Sequence, residues 1–199
     1  MTRPLRPARR PALLTLLALG GLLGTGAPAC ARPGAGPLVE GTVLDVHDGD
    51  SFVLRTGDGR RLRVRVAGID APEHHQPWAE SSRRQLGELL RGHRVQVEPL
   101  KTDVYERTVA RVRVPTDDGE PADVALVLLE SGLAWHFVRY RSDQSAAEYL
   151  RYARAERAAR GKRVGLWQDP TPEPPWAFRS RMRRHEAAPE RLSPPSPEG

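Results

Sequence analysis

The chain has 199 residues, of which 39% are hydrophobic and 28% charged, enough apolar content for one folded domain with tails. No apolar run reaches the roughly 18 residues of a membrane-spanning helix, and a single cysteine excludes an internal disulfide framework or a cysteine-rich zinc site. Of the net charge of +6, residues 1–37 supply five arginines and no acid, which leaves +1 for the rest. Overall charge therefore does not identify a nucleic-acid-binding protein, and any basic surface must come from local arrangement.

The N-terminal residues have the layout of an exported protein. A basic segment, residues 3–10, precedes a short apolar run, residues 12–23, and then small residues. This order predicts a secretory signal peptide over residues 1–31 and a short linker over residues 32–37, with export to the periplasm or the extracellular space. Lipid attachment at Cys30 is the alternative, but the residues before it match a lipoprotein signal poorly, which favours simple cleavage.

Residues 38–168 form the predicted domain, which begins with short apolar segments bounded by turn residues. In the third segment, Leu62, Val64 and Val66 alternate with arginines, a period of two that indicates a strand with one apolar and one basic face. The pattern predicts strands over residues 39–46, 51–55 and 62–66 and two further strands containing residues 95–97 and 109–114.

Helices are predicted between and after these strands. Leucines at helical spacing precede Gly92, Asp123 is suited to cap a helix over residues 124–130, and Ser145 with Glu148 has the capping-box pattern. Five strands and about three helices indicate an α+β fold, mainly β with α, built on a five-stranded barrel of the oligonucleotide-binding (OB-fold) type.

Residues 169–199 are predicted to be a largely disordered tail, because prolines recur throughout the segment. Trp176 and Phe178 predict that its start docks on the domain. Four arginines between residues 179 and 184 could contact phosphates, but a solvated tail is the favoured interpretation of this cluster.

Acidic residues occupy two of the predicted turns. Asp48 and Asp50 lie between the first two strands, and Asp70 and Glu73 follow the third. Loops at strand ends can meet at one rim of a barrel, where their carboxylates repel each other unless a cation binds. Such hard oxygen ligands suit Ca²⁺ or Mg²⁺. Taken singly, each turn is better explained by the turn-forming tendency of Asp, Gly and Pro.

Two arginines stand close to these acids in the sequence. Arg65 ends the third strand, five residues before Asp70, and Arg107 leads into the fifth strand. Each guanidinium can bind phosphate oxygens through parallel hydrogen bonds, and two of them beside a divalent cation would stabilise a phosphoryl transition state. A solvated strand face is the alternative, because Arg61 and Arg63 share the side of Arg65.

Four ordered segments resemble the staphylococcal nuclease (thermonuclease) family: residues 42–53 (TVLDVHDGDSFV), 62–73 (LRVRVAGIDAPE), 103–112 (DVYERTVARV) and 132–135 (GLAW). Together with residues 165–167, the resemblance covers roughly residues 39–168. It implies a Ca²⁺-dependent phosphodiesterase on a five-stranded barrel, acting on DNA and RNA and leaving a 3′-phosphate and a 5′-hydroxyl.

The resemblance also implies a site. By motif position, Asp50 and Asp70 would be metal carboxylates with the backbone carbonyl of Ala71 as a further ligand, and Asp48 would reach the metal through water. Glu73 would be the general base that activates the attacking water.

The remaining implied residues would hold the substrate. Arg65 and Arg107 would bind the scissile phosphate, and Tyr105 and Tyr140 would lie against the nucleotide. Stacking tolerates any base, so little sequence specificity is expected. Single strands should be cut faster, because a duplex would have to open first. A monomer is the default expectation.

Several positions depart from the family pattern. Glu106 stands where a glycine often precedes the second arginine, and its carboxylate could pair with Arg107 or repel the substrate. Val104 replaces a basic residue, Val138 an aromatic residue, and Ala71 a threonine of which only the carbonyl is needed. These changes affect substrate affinity more than chemistry.

The competing interpretation is a non-catalytic module in which the same barrel binds nucleic acid without cutting it. Catalysis is favoured because the complete set is present: Asp50, Arg65, Asp70, Glu73 and Arg107.

Overall fold

The computed structural model of the chain describes residues 36–187. The predicted signal peptide and most of the predicted linker lie outside the described residues, as does the end of the predicted tail. The strands are β1 Val39–Val46, β2 Ser51–Thr56, β3 Arg61–Val66, β4 Ile69–Asp70, β5 Arg94–Thr102, β6 Thr108–Val114, β7 Ala122–Asp123 and β8 Trp135–His136.

The five long strands close into the predicted barrel. Antiparallel pairing runs in the order β3-β2-β1-β5-β6, and parallel pairing of β3 with β6 joins the two ends. Register shifts near Val43 and Pro99 mark irregularities in β1 and β5, of the kind that help a sheet to curve. The short β7 pairs antiparallel with the end of β6, and β4 pairs separately with β8. The five-stranded barrel expected from the sequence is thus confirmed.

Alternation along β3 explains how the barrel interior is filled. Val64 and Val66 are fully buried among the other apolar strand residues, whereas Arg61 and Arg63 are exposed on the outside. Burying such side chains contributes about 1.5–3 kcal/mol each, so the register of the strand is strongly determined.

Within the described residues, four α-helices accompany the barrel: α1 Ala79–Leu90, α2 Val124–Glu130, α3 Ala146–Lys162 and α4 Pro175–Ala187, with short 3-10 helices at Val138–Asp143 and Gly165–Gln168. The first three confirm the expected helices. Asp123 caps α2 through the N–H of Leu126, and the Ser145–Glu148 capping box begins α3. None of the described helices is both long and apolar enough to cross a membrane.

Helix α4 departs from the predicted tail. Composition indicates a largely disordered segment from residue 169, whereas the structure places Pro175–Ala187 in a helix against the domain. The ring of Trp176 lies 5.5 Å from that of Trp135 and 5.8 Å from that of Phe137. Docking of Trp176, which the sequence did predict, gives the segment tertiary contacts that composition does not reveal.

Candidate active site

The two acidic turns meet at one rim of the barrel. Asp50 directly precedes β2 and Asp70 ends β4, and both residues are almost fully buried, at 5% and 1% exposure. The N–H of Ala71 donates to Asp50 Oδ2 at 3.0 Å, and the N–H of Val66 donates to the Asp50 carbonyl at 2.8 Å. The structure therefore brings together the residues that the sequence predicts as metal ligands.

Gly49 permits this close approach. A Cβ atom at residue 49 would overlap the Ser82 hydroxyl of α1 and would lie 2.6 Å from Ser82 Cβ and 2.8 Å from Ala71 Cβ. Only glycine fits between the helix and the second acidic turn without displacing one of them.

Burial and mutual repulsion act on these carboxylates. Burial, followed by the charge of Asp50, raises the pKa of Asp48 to about 7. Burial also raises the pKa of Asp70 above its ordinary value, despite nearby guanidinium groups. Carboxylates in such an environment are stabilised in their charged form by a bound cation.

Arg65 lies between the two buried acids. Its Nη2 is 2.7 Å from Asp70 Oδ1 and 3.2 Å from Asp50 Oδ2, and Nη1 donates to the Ile69 carbonyl at 3.1 Å. The Arg65 side chain is only 13% exposed, unlike the other arginines of β3. The solvated-face alternative therefore does not apply to Arg65.

Glu73 lies near the buried Asp50 and Asp70, in a loop that Gln76 stabilises through hydrogen bonds. The N–H of Glu73 donates to Gln76 Oε1 at 2.9 Å, and Gln76 Nε2 donates to the Glu173 carbonyl at 2.9 Å. The Glu73 side chain remains 36% exposed, so solvent can reach its carboxylate. Sequence reasoning missed Gln76, and the only signal was a polar residue in the loop after Glu73.

Arg107 reaches the same rim from the loop before β6. Its Nη1 donates to Ser51 Oγ at 3.3 Å, and Ser51 Oγ donates to Asp50 Oδ1 at 2.9 Å. Its Nε donates to Asp103 Oδ2 at 2.8 Å. Glu106 instead lies 3.5 Å from the guanidinium of Arg63.

Glu106 has φ +59°, in the left-handed region that favours glycine. This explains physically why glycine suits the position, and it shows that the glutamate occupies it with some backbone strain.

The predicted stacking residues have aromatic rings that are exposed to solvent. Tyr105 is 68% exposed and Tyr140 46% exposed. The Arg107 guanidinium lies 5.4 Å from the Tyr105 ring centre, and Lys101 Nζ lies 4.1 Å from that of Tyr140. Lys101 is a further cation near a predicted stacking residue that sequence reasoning missed.

Arg179 of α4 also enters the site, although the sequence favoured a solvated role for its cluster. Its Nη2 lies 2.8 Å from Asp70 Oδ2 and its Nη1 3.2 Å from Asp70 Oδ1, and Nη1 also donates to Glu73 Oε1. Docking of α4 brings it there, which is why the composition of the tail gave no indication of it.

Within residues 36–187, no three acidic, His or Cys side chains are grouped as a ready-made metal cage. The acids instead make contact with guanidinium groups. Asp70 accepts hydrogen bonds from two arginines, and Asp50 pairs with one of them. Asp50 and Asp70 are thus buried carboxylates that pair with positively charged side chains. Carboxylate oxygens are also the donors that a hard divalent cation requires.

Comparison with known proteins gives a consistent family assignment. The family model for staphylococcal nuclease homologues matches residues 63–169. "Protein ParB" of Escherichia coli is 36% identical over 154 residues, covering 74% of this chain and 84% of that protein. "Micrococcal nuclease" of Shigella flexneri is 32% identical over 143 residues, covering 70% and 79% respectively.

An "Uncharacterized endonuclease" of Haemophilus influenzae is 31% identical over 144 residues, which is 72% of each chain. The name "Protein ParB" states no activity, whereas the other two relatives are named as nucleases. The matched segment contains the second acidic turn, Arg65 and Arg107. The chain therefore belongs to the staphylococcal nuclease homologue family.

Proposed function

We propose that the chain is an exported, Ca²⁺-dependent endonuclease that hydrolyses phosphodiester bonds of DNA and RNA with little sequence specificity. Family membership and the nuclease names of its relatives support the hydrolysis of nucleic acid. The observation that carries the proposal is the buried Asp50–Asp70 pair bridged by Arg65, with Glu73 and Arg107 at the same rim. The expected products carry a 3′-phosphate and a 5′-hydroxyl.

The acid pair supports a cation site. Asp50 and Asp70 would hold Ca²⁺ with the Ala71 carbonyl, and Asp48 would reach it through water. When bound, Ca²⁺ would supply positive charge against the scissile phosphate. Calcium is proposed rather than a softer metal because every one of these donors is a hard oxygen.

Glu73 is suited to hold and deprotonate the attacking water. Its carboxylate is partly exposed, while its backbone is held by Gln76. A carboxylate near cations is a weak base, so its gain comes mainly from positioning the water.

Arg65 and Arg107 would bind the phosphate and stabilise its developing charge. Both guanidinium groups are partly buried, at 13% and 26% side-chain exposure, which strengthens their electrostatic effect relative to water. Tyr105 and Tyr140 expose rings on which any base can stack. The same stacking favours single strands over a closed duplex.

Export and oligomeric state are further parts of the proposal. Residues 1–31 have the composition of a signal peptide, which supports a periplasmic or extracellular location after cleavage, with lipid attachment at Cys30 as the less favoured route. We propose a monomer as the default state.

Cleavage of heat-denatured DNA by the purified chain, with Ca²⁺ and with a chelator, tests the proposal. Glu73→Gln should lower kcat by about 10²–10⁴-fold, the range for a lost general base, and should largely preserve DNA binding. Glu88→Gln is the matched control, because Glu88 is exposed on α1. Full cleavage in chelator would contradict the metal assignment, and salt-sensitive binding without cleavage would indicate the non-catalytic module.

A further inference from the structure

Helix α4 places a positive charge directly on the proposed metal and base carboxylates. Arg179 engages both oxygens of Asp70, at 2.8 and 3.2 Å, and also donates to Glu73. Arg65 engages Asp70 Oδ1 from another direction. Both oxygens of this buried carboxylate thus accept hydrogen bonds from cations of the chain itself.

The position of Arg179 depends on specific contacts rather than on the general charge of the tail. Pro175 is buried at the start of α4, and Trp176 packs on Trp135 and Phe137. Gln76 holds the carbonyl of Glu173 just before the helix. Other arginines of α4, such as Arg183, are exposed to solvent.

A guanidinium and a divalent cation at the same carboxylate oppose each other. Like charges a few ångströms apart repel strongly where water is largely excluded. The lone pairs of Asp70 that face Arg179 are also engaged in hydrogen bonds with it. Metal binding at Asp70 therefore requires the guanidinium to leave.

We propose that Arg179 is a further residue of this site, which competes with the divalent cation for Asp70 and Glu73 and so sets the metal concentration at which the site fills. The inference rests on the proposed metal-dependent function. With Arg179 in place, Asp70 is neutralised and Glu73 is held by a hydrogen bond. With Arg179 displaced, both carboxylates face the site, and the arginine is free to move toward solvent or toward the substrate backbone.

Titration calorimetry of the full chain with Ca²⁺ measures this competition. If Arg179 occupies the acids about nine-tenths of the time, its removal should tighten the apparent Kd by about tenfold. Arg179→Ala and Arg179→Gln should both show this gain. The second variant retains most of the side-chain length, so it separates loss of the charge from loss of packing. Arg183→Ala removes the same charge from an exposed position of the same helix and should leave the affinity unchanged.

A second measurement uses the unaltered chain. Hydrogen exchange of the α4 amides should become faster when Ca²⁺ saturates the site, because the helix loses its Arg179 contacts. Unchanged exchange would contradict displacement, even if the variants failed to fold.

The outcomes separate this inference from the proposed function. Metal-dependent cleavage with equal Ca²⁺ affinity in wild type and both Arg179 variants overturns the competition alone. A loss of cleavage at unchanged affinity also overturns it and would place Arg179 with the phosphate-binding arginines. Absence of both Ca²⁺ binding and cleavage in every form overturns the competition together with the proposed function.

Discussion

Replacement of Gly49 by alanine tests whether the acidic turn is held as tightly as the structure indicates. The added methyl group would overlap the buried Ser82 hydroxyl, which donates to the Leu133 carbonyl at 2.7 Å, and would press on Ala71. Overpacking of this kind costs about 1–3 kcal/mol. If Ser82 rotates away, the buried carbonyl loses its donor, at a cost of about 1–3 kcal/mol.

These contributions predict a loss of about 2–6 kcal/mol in the free energy of unfolding for Gly49→Ala, or roughly 4–24 °C in Tm for a chain of this size. Thermal denaturation followed by circular dichroism measures the loss, and Ca²⁺ titration tests whether the proposed metal ligand Asp50 is disturbed. Gly87→Ala is the matched control, because a Cβ at that position of α1 would meet no atom within 4 Å apart from the adjoining backbone of its own helix. Alanine should stabilise that helical position by about 0.8–1 kcal/mol.

A second-site change identifies the cause of the loss. Ser82→Gly removes the main obstacle, so the further cost of Gly49→Ala should fall by at least about 1 kcal/mol in that background, a coupling expected only for residues in contact. If Gly49→Ala were as stable as Gly87→Ala, the close approach of residue 49 to Ser82 would be refuted. Simple additivity of the Gly49→Ala and Ser82→Gly effects on stability would refute it as well.

Two further changes probe the loop before β6. Arg107→Ala should lower kcat/KM by about 10²-fold or more, as expected for loss of a charged donor at the phosphate. Arg84→Ala, which changes an exposed arginine of α1, is the control. Equal activity of the two variants would show that Arg107 does not act in the site. Glu106→Gly and Glu106→Gln should both strengthen DNA binding at low salt, because each removes an exposed negative charge from the loop that carries Arg107 and frees the Arg63 guanidinium. If only the glycine variant gains affinity, the backbone freedom that glycine gives at this φ +59° position, rather than the lost charge, is responsible.

The barrel could be predicted from the sequence because local patterns determine its strands. Alternation of apolar residues and arginines along β3 is visible in the sequence, and the buried Val64 and Val66 confirm it. The parallel pairing that joins β3 to β6 was not predicted strand by strand. Closure depends on residues more than forty positions apart, such as Val64 and Thr108, and no local pattern encodes that pairing.

The acid pair was predictable for a related reason. Asp50 and Asp70 lie at strand ends, and a barrel brings some of those ends to one rim. Arg65 was ambiguous, because alternation assigned it to the same side as the exposed Arg61 and Arg63. Its position at the end of β3, beneath the two acids, explains why its side chain is only 13% exposed. Arg65 thus differs from Arg61 and Arg63 in its position along the strand, although all three share one face.

Helix α4 marks the limit of compositional reasoning. Proline content and arginine clustering describe how a segment behaves in isolation, and both indicate disorder here. The segment is ordered by partners elsewhere in the chain: Trp135 and Phe137 receive Trp176, and Asp70 receives Arg179. The same four-arginine cluster thus contains one residue in the site and others in solvent, a distinction that only tertiary contacts make.

Charge balance at the rim connects these observations. Three carboxylates, Asp50, Asp70 and Glu73, are in contact with two guanidinium groups, those of Arg65 and Arg179, and Asp48 adds a further partly buried acid. Arg107 is balanced separately by Asp103. The rim therefore keeps an excess of acid even with both arginines in place. The Arg179 guanidinium can therefore be exchanged for a divalent cation without making the site strongly positive. Under this electrostatic condition the proposed competition is possible, because Arg179 can oppose metal binding and still be displaced by the metal.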